Sequence, residues 1–225
     1  MTPAFQDAAQ GGYDSRVTGR RWLTHNTFLL DLERPPGFRF MAGQRIQLLF
    51  EGETRDYSLI PGDPPPALTL LIRRIPGGAL TNRLGDCPEG TRLHFIGPGG
   101  HFIYRRTSRP AVFIATGTGV APFVAMCREG AQGVILLHGV RQVAELYYRS
   151  LLEATAGLYV PCLSGGPGSA SEGTYAGRVT GYLQDRLPPG DYDFYLAGRR
   201  EMIADAIAIV DERFPSSRVY SEIFF

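Results

Sequence analysis

The turn Gly117-Thr118-Gly119-Val120-Ala121-Pro122 follows the apolar run Ala111-Val112-Phe113-Ile114-Ala115. A buried strand running into a glycine turn and then a helix constrains the fold more than any other stretch of the chain. Glycines let the backbone turn tightly and approach a ligand closely. The unpaired N–H groups at the helix start face outward and attract an anion. Pro122 suits an early helical position, where no N–H donor is needed. The pattern departs from the usual G-x-G-x-x-G spacing, because proline stands where the third glycine belongs. A plain strand-turn-helix without a ligand would carry the same residues.

The periodicity changes on either side of Arg105–Pro110. Before it, Val17–Leu23, Thr27–Leu32, Gln44–Phe50, Thr54–Leu59, Leu68–Ile72 and Arg92–Ile96 read as short strands separated by Gly/Pro clusters. One short helix is expected at Ala79–Gly85. This spacing predicts an antiparallel barrel or sandwich. After the boundary, strands at Ala111–Ala115, Gly133–His138, Leu158–Leu163 and Asp193–Ala197 alternate with helices near Ala121–Arg128, Ala144–Glu153, Arg178–Arg186 and Arg200–Arg213. That alternation predicts a doubly wound parallel sheet. Two domains are therefore expected, residues 1–107 and 108–225.

Composition excludes several classes. The formal net charge of +1 argues against nonspecific nucleic-acid binding. No segment reaches membrane-spanning length, and residues 1–10 read as a polar lead-in and not a signal peptide. Three widely spaced cysteines, Cys87, Cys127 and Cys162, fit a reducing compartment, hence the cytoplasm. They also exclude a plant-type iron–sulfur cluster on this chain. The four histidines form no zinc-binding pair. All 23 basic residues are arginine, and 14 of them precede residue 110, against 10 acidic residues there. An arginine-rich first half suits an acidic partner, although such imbalances are common.

Two constellations in the first half carry chemistry. In Arg55-Asp56-Tyr57-Ser58-Leu59, on a strand, Arg55, Tyr57 and Leu59 share a face. An arginine can fork onto a pyrophosphate, and a tyrosine can lie flat on an aromatic ring. A half-buried strand with a surface arginine reads the same way. Gly77-Gly78-Ala79-Leu80-Thr81 opens the short helix, either as a second anion seat or with Thr81 as a simple cap.

In this order the motifs resemble those of the ferredoxin–NADP⁺ reductase-type flavoproteins. Arg55-Asp56-Tyr57-Ser58 is similar to that family's R-x-Y-S, and Gly78-Ala79-Leu80-Thr81 to its G-x-x-S/T. Gly97-Pro98-Gly99-Gly100-His101-Phe102 would close the barrel. Gly117–Pro122 resembles G-T-G-x-A-P. His138-Gly139-Val140-Arg141, Ala197-Gly198 and the ending Glu222-Ile223-Phe224-Phe225 follow. The resemblance spans Tyr13 to Phe225 and implies a Greek-key barrel holding FAD, followed by an NADP(H)- or NAD(H)-binding domain. It places FAD against Arg55, Tyr57, Ser58, Gly78, Leu80, Thr81 and Phe225, with Tyr57 on the isoalloxazine and Ser58 near N5. The nicotinamide dinucleotide would meet Thr116, Gly117, Thr118, Gly119, Pro122, Arg141, Ser164, Arg178 and Gly198. Ser58, Glu222 and Phe225 would serve the chemistry, with Phe225 covering the ring face where nicotinamide must land. The implied reaction moves electrons between NAD(P)H and a small acidic redox protein, a ferredoxin or flavodoxin.

Three departures bear on these expectations. Ala197-Gly198 stands where the family often has Cys-Gly. Ser164 is followed by Gly165-Gly166, where NADP-specific relatives often place arginine, leaving Arg178 and Tyr175 as candidates for the 2′-phosphate and adenine. The loop Gly165–Gly173 is long. An NADH-dependent reductase component of an oxygenase, and a flavin-binding module without turnover, fit the same motifs.

Overall fold

The structure is a computed structural model that describes residues 12–166 and 173–224. The first half forms an antiparallel sheet of β1 (Tyr13–Thr24), β2 (Thr27–Leu32), β3 (Arg45–Phe50), β4 (Glu53–Ser58), β5 (Ile60–Pro61), β6 (Leu68–Arg73) and β7 (Arg92–Gly99). Their order is β4-β3-β7-β1-β2-β6-β5. The two edge strands, β4 and β5, are separated only by Leu59, so the sheet must curl until its edges meet. The result is a barrel, and β7 returns by a long connection to lie beside β1 in the Greek-key manner. Phe28, Leu30, Ile46, Leu48, Leu70 and Phe95 fill it. Helix α1 (Ala79–Asp86) adds Leu80 and Leu84 to that core.

The second half is a six-stranded parallel sheet, β8 (Ala111–Thr116), β9 (Ile135–Val140), β10 (Leu158–Leu163), β11 (Tyr175–Ala176), β12 (Asp193–Gly198) and β13 (Arg218–Ile223). The order β11-β10-β9-β8-β12-β13 reverses direction beside β8. Helices α2 (Ala121–Arg128), α3 (Arg149–Thr155), α4 (Val179–Asp185) and α5 (Arg200–Arg213) join the strands. Strand β12 is buried along its whole length, as a central parallel strand covered on both faces must be. The expected doubly wound sheet is therefore present.

Two local expectations need correction. The helix expected over Ala144–Glu153 is instead a 3-10 turn at Val143–Glu145 followed by α3. Tyr148 breaks it with a φ of 58°. Tertiary packing overrides helix propensity here: Leu146 and Tyr147 are buried, and the Tyr147 hydroxyl donates to Thr27 Oγ1 of the barrel at 2.8 Å. The ending Glu222-Ile223-Phe224-Phe225 is expected only as a motif, yet its first two residues complete an edge strand, β13, that starts at Arg218.

The two domains share one hydrophobic core. Leu29, Ala42, Ile60, Leu71 and Phe102 pack with Phe113, Phe123, Val124 and Tyr195. Arg128 Nη1 donates to the Pro61 carbonyl across the same seam. This continuous packing joins β5 and β6 of the barrel to α2 and the Gly117 turn, while β13 brings Glu222 to Arg45 of β3, where the candidate site lies.

Candidate functional site

The nucleotide side is built at the point where the strand order reverses, the usual ligand crevice of an open α/β sheet. Gly117 takes a φ of 53°, and nothing lies within 4 Å of where its Cβ would be. Gly119 serves a different need. A Cβ there would sit 2.5 Å from the Ala197 carbonyl oxygen, so this glycine lets the turn press against β12. Gly198 has a φ of 138°, and a Cβ on it would collide with Thr116 Oγ1. That same oxygen accepts the Arg199 N–H at 3.2 Å. Thr118 and Pro122 are buried, with Pro122 in the first turn of α2.

Arg141, Ser164 and Arg178 sit beyond the ends of β9, β10 and β11, all exposed. The Arg141 N–H is held by Glu145 Oε2 at 2.9 Å, and Ser164 Oγ donates to the Val140 carbonyl at 3.2 Å. Every sequence-derived nucleotide residue thus reaches one edge of the sheet. Arg199, at the same edge, was not anticipated.

His138 lies fully buried beneath the Gly117 turn, with Nδ1 3.0 Å from the Tyr159 hydroxyl. Burial lowers its pKa to about 4, with the Gly117 backbone opposing the fall. The unfolded chain takes up this proton near the ordinary imidazole value and the folded chain does not. Stability should therefore be full above about pH 6.5 and decline as pH falls toward 4, at up to about 1.4 kcal/mol per pH unit. Urea titrations across that window should show this slope, and His138→Gln should remove it. An identical slope in the variant would place the acid sensitivity elsewhere.

The barrel side contributes a cavity of about 540 Å³ lined by Arg45, Arg55, Asp56, Ser58, Phe102 and Glu222, among others. Tyr57 packs partly on the barrel core, opposite Ile46, and burial raises its phenol. The shared face expected of Arg55, Tyr57 and Leu59 divides in the structure. Leu59 is buried, while Arg55 is exposed at the cavity, with Nη1 donating to the Thr54 carbonyl at 2.7 Å. Leu80 points into the barrel core, so only its backbone could meet a ligand. Thr81 Oγ1 accepts the Ile75 N–H at 3.2 Å, and α1 has no side-chain cap. Phe225 lies outside the described residues.

Glu222 reaches this cavity from β13 and is buried. Burial pushes its carboxyl above the usual range, Arg45 pulls it back, the nearby Asp56 adds to the rise, and the Ser58 hydroxyl opposes it. Arg45 Nη1 donates to Glu222 Oε1 at 2.8 Å. Two polar atoms at the cavity, Ser58 Oγ and Glu222 Oε2, are buried with no hydrogen-bond partner beyond each other. Leaving such groups unpaired is costly, and native proteins rarely do so without a reason. A flat heteroaromatic ligand with polar edges, as FAD has, would satisfy them, so the residues present fit that cofactor. Sequence reasoning missed Arg45, because its register opposite Ser58 appears only when β3 pairs with β4.

Comparison with known proteins matches this geometry. The Oxidoreductase FAD-binding domain family matches residues 15–104, and the Oxidoreductase NAD-binding domain family matches residues 113–207. Ferredoxin–NADP reductase B of Sorangium cellulosum is 34% identical over 195 residues, 78% of this chain and 77% of that protein. The chain belongs to the ferredoxin–NADP reductase family. The toluate 1,2-dioxygenase electron transfer component of Pseudomonas putida is 31% identical over 220 residues, covering 89% of this chain and 65% of that one. The chain spans 60% to 66% of the length of the first four curated relatives it matches. A ferredoxin–NADP⁺ reductase structure from Neisseria gonorrhoeae, with bound FAD and NADP, superposes with a TM-score of 0.82 at 21% identity. It covers 95% of this chain and 98% of that one, and shows the shared reductase fold. As a member of this family, the chain pairs a FAD-binding barrel with an NAD(P)-binding sheet.

Proposed function

We propose that this chain is a reductase that takes electrons from NAD(P)H and passes them to a small acidic redox protein, a ferredoxin or flavodoxin. One observation carries the reading: Ser58 and Glu222, whose buried oxygens have no partner beyond each other, face a cavity lined by β13, the strand that pairs with Ala197 and Gly198 at the nucleotide crevice. Residues 1–107 would hold FAD and residues 108–225 the nucleotide. Bound FAD supplies hydride acceptance and one-electron release, chemistry that no side chain here can perform.

The chain's own residues bind, orient and exclude water. Arg55 and the N–H groups following Gly78 meet the cofactor's pyrophosphate. Tyr57 supports the ring, and Ser58 holds a hydrogen bond at its polar edge. Gly117–Gly119 and the α2 N-terminus would seat the nucleotide's pyrophosphate, and Arg178 would meet a 2′-phosphate. Glu222 holds or releases a proton beside Ser58. Phe225 would cover the ring until nicotinamide displaces it. All three cysteines are free and buried, which supports a reducing compartment such as the cytoplasm.

Purified protein should be yellow and reduce a neutral dye with NADPH, NADH or both. Colourless protein that does not take up FAD would overturn the reading. Similarity to the Pseudomonas putida component favours a second version, in which the acceptor belongs to an oxygenase system; in that version we take NADH as the donor. Comparing turnover with the two nucleotides separates the versions. With an acidic protein acceptor, the rate should fall steeply as salt rises toward about 0.5 M, because the barrel's arginine excess acts through screened charge. A flat salt profile would remove that docking mode.

Among the described residues, no helix is long and apolar enough to cross a membrane, and no group of His, Cys, Asp or Glu could hold a metal ion.

A further inference from the structure

Arg45 opens β3 opposite Ser58 on β4 and Gly99 on β7, at the barrel end that meets the second domain. Its guanidinium is held at both ends. Nε donates to Asp56 Oδ2 at 2.9 Å on the barrel side, and Nη1 donates to Glu222 Oε1 at 2.8 Å on β13. The second bond joins residues 177 positions apart and crosses from one domain to the other. Gly100 leaves the passage open, since a Cβ there would lie 3.1 Å from Arg45 Nη1.

The consequence lies in what this bond leaves over. A carboxylate has two oxygens, and Arg45 engages only Oε1. Oε2 stays buried beside Ser58 Oγ, whose hydroxyl helps to hold the carboxyl down, and neither oxygen has a further partner. The charged and polar groups facing Glu222 are Arg45 from β3 and Asp56 and Ser58 from β4; Arg55 and His101 line the same cavity. Remove Arg45, and a buried carboxylate is left facing the negative charge of Asp56. Burying an uncompensated charge is unfavourable enough that such a group takes up a proton instead.

We propose that Arg45 is a positioning residue that spans Asp56 and Glu222, keeps the Glu222 carboxylate ionised with Oε2 presented to Ser58 and the cavity, and straps the C-terminal strand to the barrel. This rests on the reductase reading for its consequence in turnover, but the pairing itself can be tested without turnover.

The first experiment is infrared spectroscopy of Arg45→Met, the parent and Arg45→Met/Glu222→Gln at about pH 7. A protonated-carboxyl band should appear in Arg45→Met and be absent from the other two, since a buried carboxyl without its cation titrates well above neutral. The second is the pH dependence of flavin reduction by NAD(P)H, followed with the equilibrium flavin absorption spectrum. Arg45→Met should gain a pH transition above neutral that the parent lacks, changing the reduction rate about fivefold or more and appearing at the same pH in the spectrum. Arg45→Lys, which restores the charge without the fork, should return the profile toward the parent.

In a Glu222→Gln background, Arg45→Met should change neither readout further. Arg45→Gln, which keeps a donor but no charge, carries the same test where the methionine variant does not fold. The proposal is overturned if no carboxyl band appears, or if Arg45→Met has the same effect with and without Glu222. A band without any flavin binding in the parent would uphold the pairing and overturn the reductase reading instead.

Discussion

Arg55→Ala is expected to lose FAD during gel filtration and to bind added FAD about 30- to 150-fold more weakly than the parent. A guanidinium forking onto a pyrophosphate makes two charge-assisted hydrogen bonds, each worth about 1.5–3 kcal/mol. Arg55 is exposed, so solvent screens it, and roughly 2–3 kcal/mol in total is the reasonable expectation. Among the described residues, its side chain hydrogen-bonds only to the adjacent Thr54 carbonyl, so the melting midpoint of the flavin-free protein should not move. That separation between cofactor affinity and intrinsic stability is what a binding role predicts and a packing role does not. Arg55→Lys should recover only part of the loss, since a point charge replaces the fork. Thr81→Ala should cost less, because its hydroxyl is already engaged with the Ile75 N–H and acts through the shape of the turn. Fluorescence titration of flavin-free protein measures all three. Unchanged affinity in Arg55→Ala would remove this residue from the pyrophosphate.

Much of the architecture is legible in the sequence because burial and periodicity agree there. Strand β12 is apolar from Phe194 to Gly198, and the structure buries all of it between β8 and β13. The turn at Gly117 is equally plain, since a glycine pair between a buried strand and a proline-led helix has few other uses. What the sequence conceals depends on contacts between distant residues. The broken helix at Tyr148 has ordinary helical composition, and only the barrel surface that receives Tyr147 explains the break. Gly119 looks like one more ligand-cradling glycine, yet its neighbours are the backbone of Ala197 and Gly198. Arg45 resembles any arginine at the start of a strand until β13 brings Glu222 beside it. These three share a cause: each function is fixed by a partner at least 78 positions away, which local pattern cannot report.

Gly119 therefore gives a sharper test of the nucleotide crevice than any residue expected to touch the ligand. In Gly119→Ala the new methyl would sit 2.5 Å from the Ala197 carbonyl oxygen and 2.8 Å from Gly198 Cα. Both are backbone atoms of a fully buried strand, so no side chain can swing away to make room. The turn must back off from β12, and overpacking of this kind costs about 1–3 kcal/mol. At this chain length that is a fall in melting midpoint of roughly 2–12 °C. The displaced turn carries the N–H groups that would face the nucleotide's pyrophosphate, so affinity for NAD(P)H should drop about tenfold or more. The new methyl meets none of the barrel core or cavity residues, so the protein should stay yellow and its flavin should still be reduced by dithionite at the parental rate. Gly117→Ala provides the contrast. Its Cβ would meet nothing within 4 Å, so the expected cost is only the left-handed backbone penalty of about 1–2 kcal/mol, with a smaller effect on the nucleotide. Equal nucleotide affinity in Gly119→Ala and the parent would mean that the dinucleotide does not sit on this turn, because the turn cannot keep its place once that methyl is added.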